Sequence, residues 1–161
     1  MTHTEVTTRE LQLPTLDHTL RFGRALGRRL RPGDLVLLSG SLGAGKTALT
    51  KGIGAGLEVA GAITSPTFVL ARVHPAGPRG VPLVHVDAYR LSGALELDDL
   101  DLDTDLTAAA VVVEWGEGLA EQLSDARLVI ALDRLADDRR VARMTAVGAD
   151  WAERTADLSG N

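Results

Sequence analysis

The chain has 161 residues, 45% hydrophobic and 24% charged, the size and balance of one compact domain over residues 1–161 rather than of a two-domain enzyme or a disordered chain. It contains no cysteine, which excludes disulfide frameworks, thiolate zinc sites and cysteine nucleophiles, and its 3% aromatic content and net charge of −5 argue against a base-stacking surface or nonspecific nucleic-acid binding. No apolar run approaches the ~18–20 residues of a membrane span, and MTHTEVTTRE lacks the basic and apolar regions of a signal peptide, so a cytosolic address and no membrane partner are expected.

Residues 5–13 alternate loosely up to Pro14 and read as an edge strand or an irregular arm. Over residues 16–31, Leu16, Leu20, Gly23, Gly27 and Leu30 recur at helical spacing, with Arg21, Arg24, Arg28 and Arg31 on the other side. Pro32-Gly33 then stops the helix. Residues 34–39, DLVLLS, form a short apolar run bounded by turns, the pattern of a strand buried on both faces. Leu49, Ile53 and Leu57 mark a second helix; Gly52, Gly54 and Gly56 each cost it about 1 kcal/mol against Ala, so packing must hold it.

Residues 67–73 and 81–86 read as a hairpin whose Pro- and Gly-rich connection, residues 74–80, is expected to be mobile. Leucines alternate with acids over residues 95–106, a buried strand is expected at 111–113 and a short helix at 118–123. Strands at 127–132 and 140–147, joined by a polar turn at 136–139, precede a final helix at 149–158. The alternation predicts an α/β fold in three layers, a mainly parallel central sheet with added antiparallel strands.

Between the first buried strand and the second helix lies Gly40-Ser41-Leu42-Gly43-Ala44-Gly45-Lys46-Thr47, a full match to G-x-x-x-x-G-K-[ST] in the context that motif requires, which makes the fold a P-loop NTPase. The glycines let successive backbone N–H groups turn toward phosphate oxygens, and the helix opening near Gly45 adds the positive end of its dipole. Lys46 is placed to reach the β- and γ-phosphates, and Thr47 to offer its hydroxyl to Mg²⁺. Only Lys46 and Lys51 are lysines among 17 basic residues, which argues against a solvating role for Lys46.

A magnesium-bound triphosphate also needs an acid at the carboxyl end of a buried strand. Asp87 closes Leu83-Val84-His85-Val86 and Glu114 closes Val111-Val112-Val113. Either could hold the metal while the other orients water; Glu114 is preferred for the metal because its strand is the more apolar, leaving Asp87 as catalytic partner. Ser65-Pro66-Thr67 stands where nucleotide switches sense the γ-phosphate, with Thr67 as the sensing hydroxyl or an ordinary turn as the alternative. His85 reads as a packed or partner-bonded histidine rather than a base, Trp115 as core, and Arg90 as a salt-bridge partner.

Taken in order, Leu42-Gly43-Ala44-Gly45-Lys46-Thr47, Ser65-Pro66-Thr67-Phe68, His85-Val86-Asp87-Ala88-Tyr89-Arg90 and Glu114-Trp115 resemble the TsaE (YjeE) family, small bacterial P-loop ATPases of tRNA threonylcarbamoyladenosine biosynthesis. The resemblance covers residues 16–132. It implies Mg-dependent ATP hydrolysis that resets a TsaB–TsaD complex acting on the adenosine beside the anticodon of ANN-decoding tRNAs, with tRNA met only indirectly. On this chain it implies Leu42, Gly43, Ala44, Gly45, Lys46 and Thr47 for ATP, Thr47 and Glu114 for Mg²⁺, and Lys46, Thr67, Asp87 and Glu114 for catalysis or sensing. It also implies an approach of residues 16–19 to the adenine. Ser41 and Ala48 depart from the Asp and second Thr usual in the family, but the backbone cradle needs neither side chain.

Two other functions are compatible with a P-loop of this size: a small-molecule kinase, for which no arginine-bearing lid is evident, and a nucleotide-gated assembly factor with incidental hydrolysis. The acids Glu96, Asp98, Asp99, Asp101, Asp103 and Asp105, like the arginine stripe, read first as solvated faces and second as docking surfaces.

Overall fold

The structure, a computed structural model, describes residues 6–40, 45–59, 71–87, 108–114, 126–137, 139–148 and 150–158, with backbone alone at residues 71, 72 and 87. The elements are β1 (Val6–Leu13), α1 (Leu16–Gly27), β2 (Leu35–Gly40), α2 (Lys46–Leu57), β3 (Ala71–His74), β4 (Leu83–Asp87), β5 (Ala110–Glu114), β6 (Arg127–Arg134), β7 (Arg140–Val147) and a single-turn α3 (Trp151–Arg154). No helix among the described residues is long and apolar enough to cross a membrane.

Seven strands form one sheet in the order β1-β7-β6-β2-β5-β4-β3. The strands β4, β5, β2 and β6 run parallel, and β3, β7 and β1 join antiparallel. The sheet is therefore mixed rather than mainly parallel: its parallel part is confined to the centre, where strands carry apolar side chains on both faces. Leu35, Leu37, Val111 and Val113 are as buried as Val36, Leu38 and Val112, although consecutive residues point to opposite faces. In β1, by contrast, only Leu11 and Leu13 are buried, as suits an edge strand.

One face of the sheet, with Val36, Leu38, Val112 and Ile130, packs against Phe22 and Leu26 of α1, Leu49 and Ile53 of α2, and Trp151 of α3 in a single core. The described helices thus line one face, making two layers among the described residues; the expected helix at 118–123 and the Leu-acid segment at 95–106 lie outside them.

The helices α1 and α2 touch along their glycines. A β-carbon on Gly27 would stand 2.2 Å from the Ile53 carbonyl oxygen, and one on Gly56 2.2 Å from that of Arg24. The poor helix formers of α2 are therefore sites of backbone contact, and packing does outweigh propensity there.

The end and the buried face of α1, and the connection over residues 74–80, differ from the sequence pattern. The α1 helix ends at Gly27, where the Arg29 and Leu30 amides bond the Leu26 and Gly27 carbonyls in tighter turns, and it buries Thr19, Phe22, Gly23, Leu26 and Gly27 while Leu16 is 50% exposed. The period was right and the face was rotated, because the glycines go where α2 is and Thr19 goes inward with them. The connection expected to be mobile is tied down: Arg79 donates to the carbonyls of Gly27 and Gly56 at 2.8 Å and to those of Arg28 and Leu30, so it satisfies the last carbonyls of α1 and α2 at once.

Candidate functional site

Five strands, β1, β2, β4, β5 and β6, end at the same edge of the sheet. The parallel strands β2, β4 and β5 deliver Gly40, Asp87 and Glu114 there, with Leu38 and Asp87 both in register with Glu114. Because β7 runs back along β6, its first residue, Arg140, pairs with Arg134 at the carboxyl end of β6, and Leu13 pairs with Arg140 in turn. Two residues after Leu13 the chain enters α1, whose first turn is capped by the Thr15 hydroxyl accepting from the His18 amide. Strand β2 has β5 on one side and β6 on the other. The chain after β2 runs to the β4 and β5 side before returning to β6, so this edge is a topological switch point, where open α/β sheets bind ligands.

At the head of α2, Gly45 adopts φ 107°, a left-handed conformation suited to glycine, and no side chain among the described residues caps the helix. Its first turn therefore points the N-terminal N–H groups and the positive end of the helix dipole toward this edge. Lys46, 6% exposed, donates from Nζ to the Gly40 carbonyl at 2.7 Å, so its ammonium is folded back across the loop that separates strand from helix. A β-carbon placed on Gly45 would stand 3.2 Å from Arg140 Nε and 3.9 Å from Thr19 Cγ2. Both Arg140 Nε and Thr19 Oγ1 are buried without a hydrogen-bond partner among the described residues.

Across from the lysine, Glu114 is 6% exposed and its Oε2 accepts from His85 Nε2 at 2.5 Å. Asp87 stands beside Glu114 by backbone register. The structure thus brings Gly45, Lys46 and Thr47 to the same edge as Glu114 and the backbone of Asp87. Leu42, Gly43, Ala44 and Thr67, with Ser41, Ser65, Pro66, Arg90 and Trp115, lie outside the described residues.

Sequence reasoning missed Arg140 and gave Thr19 only by resemblance. A usable signal existed for Arg140: in β7, the residues Ala142, Met144 and Ala146 face the core, so alternation puts Arg140 on the same side, where a guanidinium is out of place without a partner.

These donors suit an anionic ligand carrying a cation. The uncapped helix start, a buried ammonium and two orphaned donors offer positive potential and hydrogen bonds, and the carboxylate beside them can take one position on a hard metal ion such as Mg²⁺, which is bound through few protein oxygens and completed by phosphate and water.

A mixed seven-stranded sheet with a parallel centre and helices packed on one face defines an α/β protein. The chain matches, over residues 13–142, the family described as Threonylcarbamoyl adenosine biosynthesis protein TsaE. It is 58% identical over 142 residues to the tRNA threonylcarbamoyladenosine biosynthesis protein TsaE of Streptomyces coelicolor, covering 85% of this chain and 95% of that one. The protein of the same name from Mycobacterium tuberculosis is 56% identical over 138 residues, covering 81% and 82%. A crystal structure of Bacillus subtilis YdiB superposes with a TM-score of 0.77 at 32% identity, over 98% of this chain and 97% of that one. The chain belongs to the TsaE family.

Proposed function

We propose that the chain is the ATP-hydrolysing component of N6-threonylcarbamoyladenosine formation in tRNA, working in the cytoplasm with Mg²⁺ and with a TsaB–TsaD complex as its partner. Family membership supports the pathway. The observation that carries the nucleotide reading is the head of α2: an uncapped helix start at a left-handed Gly45, the buried Lys46, and the orphaned donors of Thr19 and Arg140 on either side.

In this reading the backbone from Leu42 to Thr47 binds the phosphates, and Lys46 exchanges the Gly40 carbonyl for phosphate oxygen, so its ammonium follows the charge of the reacting group. Thr47 and Glu114 hold magnesium, which when bound neutralises phosphate charge and orients the triphosphate. Asp87 and Thr67 position the attacking water and sense the γ-phosphate. Arg140 and Thr19, set against Gly45, bind the rest of the nucleotide and exclude water from the loop. Coupling to TsaB–TsaD makes hydrolysis slow alone and faster in the complex.

The test is nucleotide binding and phosphate release by the purified chain, with and without TsaB–TsaD and substrate tRNA. Lys46→Ala is expected to lose at least about 100-fold in ATP affinity, roughly 2.7 kcal/mol, while Glu114→Ala binds ATP and does not turn it over. Unchanged ATP affinity in Lys46→Ala overturns the phosphate site, and stoichiometric phosphorylation of a small hydroxylated metabolite establishes a kinase instead.

A further inference from the structure

We propose that His85 is a positioning residue for Glu114: its Nε2–H holds one carboxylate oxygen so that the other is the one offered to the metal ion. The proposal rests on the reading of Glu114 as a magnesium ligand.

The geometry begins in the register. His85 pairs with Val112 and Asp87 with Glu114 on neighbouring parallel strands, so His85 stands one pleat behind the carboxyl edge on the same face of the sheet as Glu114. Its ring reaches forward across the strand pair to Glu114 Oε2 at 2.5 Å, and the ring is fully buried. That bond is the one side-chain hydrogen bond Glu114 makes among the described residues. Nδ1 has no partner among them, so the ring hydrogen is assigned to Nε2, where the carboxylate accepts it.

An imidazole is a costly occupant of this position. Its neighbours Val84, Val86 and Val112 are apolar and buried, and burying a polar ring with one nitrogen orphaned is unfavourable where an apolar side chain would serve the core. The return is control of an acid with three rotatable bonds. A glutamate at the end of a strand samples several rotamers, whereas a charge-assisted bond to a ring itself packed within the sheet holds one of them. Carboxylates that bind metals are commonly fixed by such outer hydrogen bonds. Asp87 reaches the same edge from the same strand as His85, so β4 supplies both the support for Glu114 and the acid beside it.

The test measures Mn²⁺, in place of Mg²⁺, bound by the full-length chain in the presence of β,γ-imido-ATP, read by electron paramagnetic resonance. Glu114→Ala is expected to weaken Mn²⁺ binding. His85→Leu is expected to weaken it about tenfold, the lower end for loss of an outer hydrogen bond. The decisive pair is polar on both sides. The amide nitrogen of His85→Gln reaches to about the depth of Nε2 and is expected to keep Mn²⁺ affinity within about threefold, whereas that of His85→Asn stops near Nδ1 and is expected to behave like Leu. This pair decides the matter even if the Leu variant does not fold. Equal affinities for Gln and Asn, or wild-type affinity in the Leu variant while Glu114→Ala weakens, overturn the positioning role and leave the magnesium ligand standing. Wild-type affinity in Glu114→Ala overturns the ligand itself, and the proposal with it.

Discussion

Arginines at two places in the molecule, two at a C-terminal clasp and one at the head of α2, are used in opposite ways. At the C-terminal clasp Arg154 donates to Asp34 at 2.5 Å, to Asp150 at 2.7 Å and to the Arg29 carbonyl, and its guanidinium lies 4.1 Å over the Trp151 ring. Arg9 completes the clasp by bonding the carbonyls of Thr155 and Leu158. At the head of α2, Arg140 is also set against a helix, yet its buried Nε has no partner among the described residues, and neither has Thr19 Oγ1 beside the same glycine. A buried donor left unsatisfied costs about 1–3 kcal/mol. The clasp spends its polar groups on closing the chain, whereas the loop edge leaves two buried donors unpaired among the described residues. Of the other unpaired atoms, His85 Nδ1 lies behind Glu114 at this edge, and Arg127 Nε lies at the opposite end of the sheet, where β6 begins.

Breaking the clasp should give the largest effect on folding. Arg154 and Asp34 are each about one-tenth exposed, so Arg154→Ala leaves the Asp34 carboxylate buried with, among the described residues, only the Arg31 amide as donor. The expected loss is about 3 kcal/mol, measured by urea unfolding, with ATP affinity unchanged below the melting transition. A variant that loses nucleotide affinity in proportion to its stability would erase the distinction between the two regions.

Arg140→Ala should do the reverse. It removes an orphaned donor, so unfolding free energy is expected to stay within about 0.5 kcal/mol of the wild type. ATP affinity, by isothermal titration, is expected to fall about tenfold, or 1.4 kcal/mol. Lost stability with intact affinity would reassign Arg140 to the scaffold.

This contrast was half legible in the sequence. The glycine loop, Lys46 and Glu114 were readable because their chemistry lies in short local patterns: a motif between strand and helix, and an apolar run ended by an acid. Strand β7 runs over the residues alternation assigned to it, since pleating has a fixed period of two. What escaped depends on contacts between distant segments. Arg140 meets Gly45 only because β7 returns antiparallel along β6, and Arg79 anchors an apparently loose loop only because α1 and α2 end side by side. The face of α1 was misjudged for the same reason: periodicity gives the stripe, but the glycine contact with α2 decides its rotation. The final helix is one turn rather than ten residues, because after Arg154 the chain goes on in turns whose Thr155 and Leu158 carbonyls are taken by Arg9. The bond from His85 to Glu114 was foreseen only as a packed or partnered histidine, as a cross-strand diagonal needs the register to be seen.

The smallest effect is an acid-side one and belongs to the clasp alone. The hydrogen bond from Arg154 holds the Asp150 carboxyl below the usual carboxylate range, with Arg31 adding attraction. A carboxyl whose value is depressed on folding stabilises the fold above its unfolded value, about 3.9, and that contribution drains away as pH falls through the lower folded value. Asp150→Asn should therefore flatten the loss of stability below about pH 4 and lower stability slightly at neutral pH. The side chain is 42% exposed, so solvent and salt screen the pair and the neutral-pH change is expected to stay under about 1 kcal/mol. Asp157, similarly lowered by its bond to Arg29, keeps some acid sensitivity in the variant, so the slope should lessen rather than vanish. ATP affinity between pH 5 and 8 should be the same in both proteins, because none of these groups reaches the head of α2; a variant whose nucleotide binding followed its acid limb would show that the two regions are coupled after all.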